Sequence, residues 1–189
     1  MENRLATGAG SSTAQREGSS IMRIDLRTVV GGDTDFLFSV YASTRAEEME
    51  LVDWSDEQKD AFLHMQFDAQ TKHYLAHYPD AEYKIIERAG VPIGRLIVEN
   101  RGDHFLIMDI ALLPDYRRSG IGTFLIQALK EQTVRLKLPL VLRVEYFNPA
   151  IHLYARLGFV KTRDVNTVYQ EMVWTHGSSS VQNQQEKIN

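Results

Sequence analysis

Residues 114–124 read PDYRRSGIGTF: two arginines, then two glycines one residue apart, at the mouth of an apolar stretch with helical period. Glycine lets a ligand approach the backbone with no Cβ in the way, and a helix N-terminus offers unpaired N–H groups with partial positive charge. Gly120 and Gly122 therefore form an anion cradle, and Arg117 and Arg118 reinforce its sign. A plain strand-to-helix turn with surface arginines would read the same way, so two glycines alone decide nothing. Two phosphate motifs are excluded. A Walker loop needs Lys-Ser or Lys-Thr after its second glycine, where this chain has Thr123-Phe124. A dinucleotide fingerprint needs a third glycine, and position 125 is Leu.

The elements around this loop follow from periodicity and punctuation. IMRIDLR alternates as a first strand, and Asp33 or Thr34 could cap a helix reaching about Met49. Ser55 with Gln58 makes a capping box that opens a second helix ending near Tyr78-Pro79. AEYKIIER and PIGRLIVEN read as strands joined around Ala89-Gly90, and HFLIMDIALL as a strand buried on both faces. The helix after the loop carries Ile121, Phe124, Leu125, Ala128, Leu129 and Leu136 as its apolar stripe. LVLRVEYF is the next strand. NPAIHLYARLGF then gives a short helix with Asn148 as N-cap, Pro149 at N1 and Gly158 as the stop. FVKTR and TVYQEMVW close the fold as strands.

Strand, Pro114, DYRRSGIG, long helix, strand, then NPAIHLYARLGF resembles the GNAT superfamily of acyl-coenzyme A-dependent N-acyltransferases. Arg117, Arg118, Ser119, Gly120, Ile121 and Gly122 match that family's Arg/Gln-x-x-Gly-x-Gly/Ala pyrophosphate loop. Asn148, Tyr154 and Leu157-Gly158-Phe159 match its second signature. The resemblance is strong over residues 105–160 and implies an α/β (α+β) fold: a mixed, mostly antiparallel sheet of about seven strands flanked by about four helices, with splayed central strands. It implies acetyl-CoA as cosubstrate and a primary amine, on a small molecule or a protein, as acceptor. Ile110, Ala111 and Leu112 fall where backbone holds the pantetheine arm, an N–H near Leu112 where it polarises the thioester carbonyl. Asn148 falls near the cofactor. Tyr154 falls on the residue that protonates the departing thiolate, and a phenol of ordinary pKa near 10 suits that task. Dimers are common in the family, so a homodimer is compatible with it.

The general base is not marked. By period two, Leu106 and Met108 share the face of Ile110 and Leu112, neither can take a proton, and Asp109 points the other way. Glu145, beside the expected splay, is the preferred base, with Glu99 and His104 behind it; a water chain to bulk could serve instead. The two helices should wall the acceptor cleft, with Arg45, Trp54, Met65, Gln66 and Phe67 as candidate lining and Glu47, Glu48, Glu50, Asp53, Asp56 and Glu57 making the region acidic. His73 and His77 stand four apart, but a polar helix face explains them better than a metal. A non-catalytic coenzyme A-binding sensor or interaction module on the same fold is the alternative function.

Bulk composition narrows the classes. A formal charge of −4 argues against a nucleic-acid surface, and the absence of Cys rules out a disulfide framework and thiolate catalysis. No apolar run reaches the roughly 18 residues of a membrane span, and the opening residues lack the apolar core of a secretory signal. A cytoplasmic protein with no membrane partner is expected. Residues 1–20 and 176–189 are rich in Gly, Ser and polar residues and are expected to be disordered around one domain at 21–175.

Overall fold

The computed structural model describes residues 23–177, so the expectations for 1–20 and for most of 176–189 lie outside the described residues. Seven strands form one sheet in the order β1-β2-β3-β4-β5-β7-β6, antiparallel throughout except for the parallel pair β4 and β5. Along the chain these are β1 (Ile24–Thr28), α1 (Thr34–Glu50), α2 (Asp56–His77), β2 (Glu82–Arg88), β3 (Val91–Asn100), β4 (Phe105–Leu112), α3 (Ile121–Leu136), β5 (Leu140–Glu145), α4 (Ile151–Arg156), β6 (Val160–Asp164) and β7 (Tyr169–Trp174). This is the expected mixed, mostly antiparallel α/β sheet with four helices, in the expected element order. No described helix is long and apolar enough to cross a membrane.

Local chemistry accounts for the joints. Ser55 Oγ accepts from Gln58 N–H while Gln58 Oε1 accepts from Ser55 N–H, the reciprocal box that starts α2. Ala89 and Gly90 both take positive φ, 52° and 80°, which lets a two-residue turn join β2 to β3 without splaying them. Asp33 precedes α1 but does not cap it with its side chain. Its carboxylate is spent on Val30 N–H at 2.8 Å and on the Arg27 guanidinium at 2.7 Å, locking the end of β1 to the helix start. Those contacts hold the Asp33 carboxyl down at about 2. Asn148 is displaced as well: α4 begins at Ile151 behind Ala150, and Asn148 Oδ1 accepts from Ala150 N–H at 2.9 Å, bending the chain into the helix from two residues upstream. Gly158 takes φ +85° at the stop, as expected.

The core lies between the sheet and α3. Ile121, Leu125, Ile126 and Leu129 pack against Ile86, Leu96, Val98, Ile107 and Leu142. Phe124, Ala128 and Leu136, expected in the stripe, are turned to solvent; Ile126 and Thr133 are buried in it instead. The opposite face of the sheet carries α1 and α2. There Arg95 and Glu99 of β3 are buried beside Ile85, Ile97 and Phe67, an arrangement that polar side chains tolerate only with partners.

One irregularity sets the phase of β4. Ile97 pairs with Asp109 but Val98 pairs with Ile107, so Met108 is an extra residue. Strict alternation fails there. Ile107 rather than Leu106 shares the α3 face with Ile110 and Leu112, while Leu106, Asp109 and Ala111 face α1 and α2.

Candidate active site

Strands β4 and β5 pair only at Phe105–Leu140, Leu106–Val141 and Ile107–Leu142. Past those three pairs β4 runs on to Leu112 and β5 to Glu145 without bonding each other, so the sheet opens into a V. A cavity of about 420 Å³ occupies this divergence and the space beneath α1 and α2, lined by Ile107–Ala111, Leu142–Glu145, Asn148 and Tyr154. Ile110, Ala111, Glu145, Asn148 and Tyr154 are thus brought together. Phe147, wholly exposed at 98%, stands at the rim.

The glycine loop follows the free end of β4, on the parted side of the V. Arg118 and Gly120 take positive φ, 57° and 86°, and Gly120 is the N-cap of α3 with no side chain bonded to the first-turn amides. A Cβ at Gly120 would meet nothing within 4 Å, so its face opens to solvent. A Cβ at Gly122 would lie 3.6 Å from Leu153 of α4, which places the loop against that helix. Ser119 Oγ donates to Tyr116 O at 2.5 Å and tightens the turn. These free amides, exposed glycine and flanking cations fit a phosphate-bearing ligand, and the open V beside them fits an extended arm with amide groups.

Arg117 does something the sequence does not announce. Its Nε donates to Leu112 O at 2.8 Å, and one Nη donates to Ser43 O and Oγ at 2.9 Å each. The guanidinium thus ties the end of β4 to α1, holding the helix over the site while leaving its charge beside the loop.

Tyr154 is 8% exposed, and its hydroxyl donates to no other group among the described residues. Burial, then the Asp109 carboxylate, pushes its phenol up to about 12. The group therefore stays protonated across the physiological range and is available as a proton donor.

The cleft floor on the α1 and α2 side is charged. Buried Arg95 pairs with Asp109, donates to Gln70 Oε1 at 3.2 Å and lies 5.9 Å from the Tyr41 ring centroid. Arg45 reaches Glu48 at 2.8 Å and stands 3.9 Å from Glu145. Tyr169 donates to Glu145 at 2.7 Å; burial followed by that carboxylate pushes its phenol up to about 12.

Of the expected lining only Arg45 reaches this cavity, joined by Glu47 and Glu48 of the acidic residues. Phe67 is buried against Phe38 and Tyr41, Gln66 accepts from Tyr41, Trp54 stacks edge-on with Phe62, and Met65 is exposed. Glu99 pairs with Arg101 and His104 with Asp103, both outside the cavity. His77 bonds the His73 carbonyl and the two rings stack at 4.2 Å; no group of three metal-ligating side chains occurs among the described residues. Asp109 is a site residue that the sequence does not mark. It faces away from Ile110, as alternation requires, but that face is the one turned to the charged cleft.

No curated protein sequence matches the chain. Among solved structures, the PaiA N-acetyltransferase of Thermoplasma acidophilum in complex with coenzyme A is similar, with a TM-score of 0.62 and 18% identity over 82% of this chain and 100% of that one. An acetyltransferase from Thermus thermophilus is similar at TM-score 0.59, with 19% identity over 82% of this chain and 99% of that one. The ribosomal-protein-S18-alanine N-acetyltransferase of Escherichia coli is similar at TM-score 0.54, with 20% identity over 81% and 94%. At these identities the likeness is one of fold. The sequence profile of the Acetyltransferase (GNAT) family matches residues 43–159. That span holds the opened β4–β5 pair, the glycine loop and Tyr154 together, and it covers more than half of the molecule: the chain belongs to the Acetyltransferase (GNAT) family.

Proposed function

We propose that the protein is an acetyl-CoA-dependent N-acetyltransferase that acts on a primary amine by direct attack within a ternary complex. Acetyl-CoA is the family's acyl donor, and when bound it supplies an activated acetyl thioester. The observation that carries the reading is the buried, proton-bearing Tyr154 hydroxyl at the open V between β4 and β5. The loop Arg117–Gly122 binds the phosphates through its amides and cations. The β5-facing backbone edge of Ile110–Leu112, left open by the V, holds the donor's arm and polarises its carbonyl. Asn148 shapes the turn beside it.

Glu145 and Asp109 attract the acceptor's ammonium and leave the charge of the cleft to Arg45 and Arg95 to balance. Glu145, placed between the Tyr169 hydroxyl and Arg45, takes the amine's proton through water. Tyr154 donates to the thiolate as it leaves. Direct attack needs no acyl-enzyme, in keeping with a chain that has no cysteine.

A thiol-release screen with acetyl-CoA over amines, peptides and polyamines tests this. Turnover with at least one amine, lost in Tyr154→Phe and reduced in Glu145→Gln at neutral pH, supports the enzyme. Tight acetyl-CoA binding by the unaltered protein with no thiol release across the panel would make it a non-catalytic binder.

A further inference from the structure

A second cavity, of about 610 Å³, lies beneath α2 on the β1–β2 side of the sheet. It is larger than the reaction cavity, and its lining is mostly apolar: Val29 and Leu37 from the β1–α1 segment, Phe67 and Leu75 from α2, Tyr83 and Ile97 from the sheet. Its size falls in the range of sites that enclose drug-sized molecules. The two cavities are back to back. Arg95, Gln70 and Tyr74 line both, so one partition separates them.

Charge in the second cavity is matched except at Asp68, which is exposed on α2. Lys84 holds Glu82 at 3.2 Å, and Arg95 is paired with Asp109 across the partition. No cation is left to hold an anionic head group, and the surrounding walls are aliphatic and aromatic. The Thr71 hydroxyl and the Gln70 NH2 supply neutral hydrogen-bonding groups along the lining, while Thr34 already donates to Gly31 O and Thr28 accepts from Lys84.

We infer that this cavity is a binding site for an uncharged, mostly apolar small molecule bearing a hydrogen-bonding group, distinct from the acyl-donor and amine sites. The site does not depend on the proposed activity, because binding is read directly. A ligand there lies against Arg95, Gln70 and Tyr74, whose other sides face the acceptor. Burial, then Asp109, already pushes the Tyr74 phenol up, so the partition feels the charge of the reaction cavity.

The test uses the full chain and the neutral fluorophore 1-aminoanthracene. Saturable enhancement at one site per chain is expected, unaffected by saturating acetyl-CoA. Thr71→Trp fills the cavity from α2 and should weaken the probe at least tenfold. Leu75→Trp, at the half-exposed mouth where folding is not at stake, should weaken it by a similar factor with an unchanged melting temperature. Phe147→Ser, on the rim of the other cavity, should leave it unaltered. Non-saturable binding, displacement by acetyl-CoA, or loss in Phe147→Ser but not in the two tryptophan variants would overturn the assignment. So would sedimentation showing a dimer whose formation abolishes probe binding, since the cavity would then be an interface between copies.

Discussion

Replacing Tyr154 by Phe removes one oxygen from the centre of the site and almost nothing from the fold. The hydroxyl bonds no described residue, so the change in stability should stay within about 0.5 kcal/mol, a shift of roughly 2 °C or less in melting temperature. The catalytic cost is larger. A placed general acid is worth about 10²–10⁴ in rate. Here the donor is held up at about 12, roughly a hundredfold weaker an acid than a free phenol, and about a tenfold loss of efficiency follows if half of that weakening is felt in the transition state. The expected loss in kcat is therefore about 10–10³, or about 1.4–4 kcal/mol, with KM for acetyl-CoA nearly unchanged. Thiol-release kinetics from pH 6.5 to 10.5 provide the assay. Because the raised phenol keeps its proton, the unaltered enzyme should show no loss of rate near pH 10 from this group. The sign for stability follows from the same shift: the folded state favours the neutral phenol, a contribution complete below about pH 10 and lost as pH rises toward 12. Tyr154→Phe should accordingly be less alkali-sensitive in melting. A kcat within threefold of the parent, with both alkaline limbs superimposed, would refute the general-acid assignment.

Gly120→Ala places a side chain at φ +86°, which costs about 1–2 kcal/mol in folding, yet it meets no atom; calorimetric titration should show acetyl-CoA affinity falling at least tenfold. Asp109→Ala strands the Arg95 guanidinium, 7% exposed, in the partition; a loss of about 3 kcal/mol, at the low end for a broken buried pair, is expected as a melting shift of about 6–12 °C. Asp33→Asn should be less stable than the parent at pH 6. Because the Asp33 carboxyl sits near 2 when folded and about 3.9 when unfolded, its contribution is present above the unfolded value and lost as pH falls. The gap between the two proteins should close between pH 4 and 2, and parallel melting curves across that window would contradict the Arg27–Asp33 account.

What the sequence disclosed were the features written in adjacent residues. The capping box at Ser55 and Gln58, the turn at Ala89-Gly90, the glycines opening α3 and the stop at Gly158 each depend on a few neighbours. They read directly because local backbone chemistry determines them. The order of elements followed from the same signals. What stayed hidden depends on partners far along the chain. The extra residue at Met108 arises from how β3 and β4 pair, and it moves Leu106 off the face that alternation assigns to it. The importance of Asp109 rests on Arg95, fourteen residues earlier and on a neighbouring strand. The brace from Arg117 to Ser43 joins positions separated by 74 residues. Phe124 and Leu136 are apolar at helical spacing, yet the face of α3 that packs on the sheet is the one carrying Ile121, Leu125, Ile126 and Leu129. Among the candidate site residues, the loop and the tyrosine stand in short motifs and could be named from the sequence; the carboxylate–guanidinium floor could not, because it exists only once the sheet and helices meet.

The V between β4 and β5 also bears on how long the molecule survives. Where pairing stops after Ile107, two central strands present raw amide edges to water in the middle of the sheet, a place most folds seal. A ligand that seats itself there mends the sheet as well as filling a pocket, and at a hundredfold excess over its Kd it adds about 2.7 kcal/mol to the folded state. Starved of acyl donor, the chain should open more often and be cleaved sooner by proteases, so that metabolic supply would govern its abundance without any separate regulator.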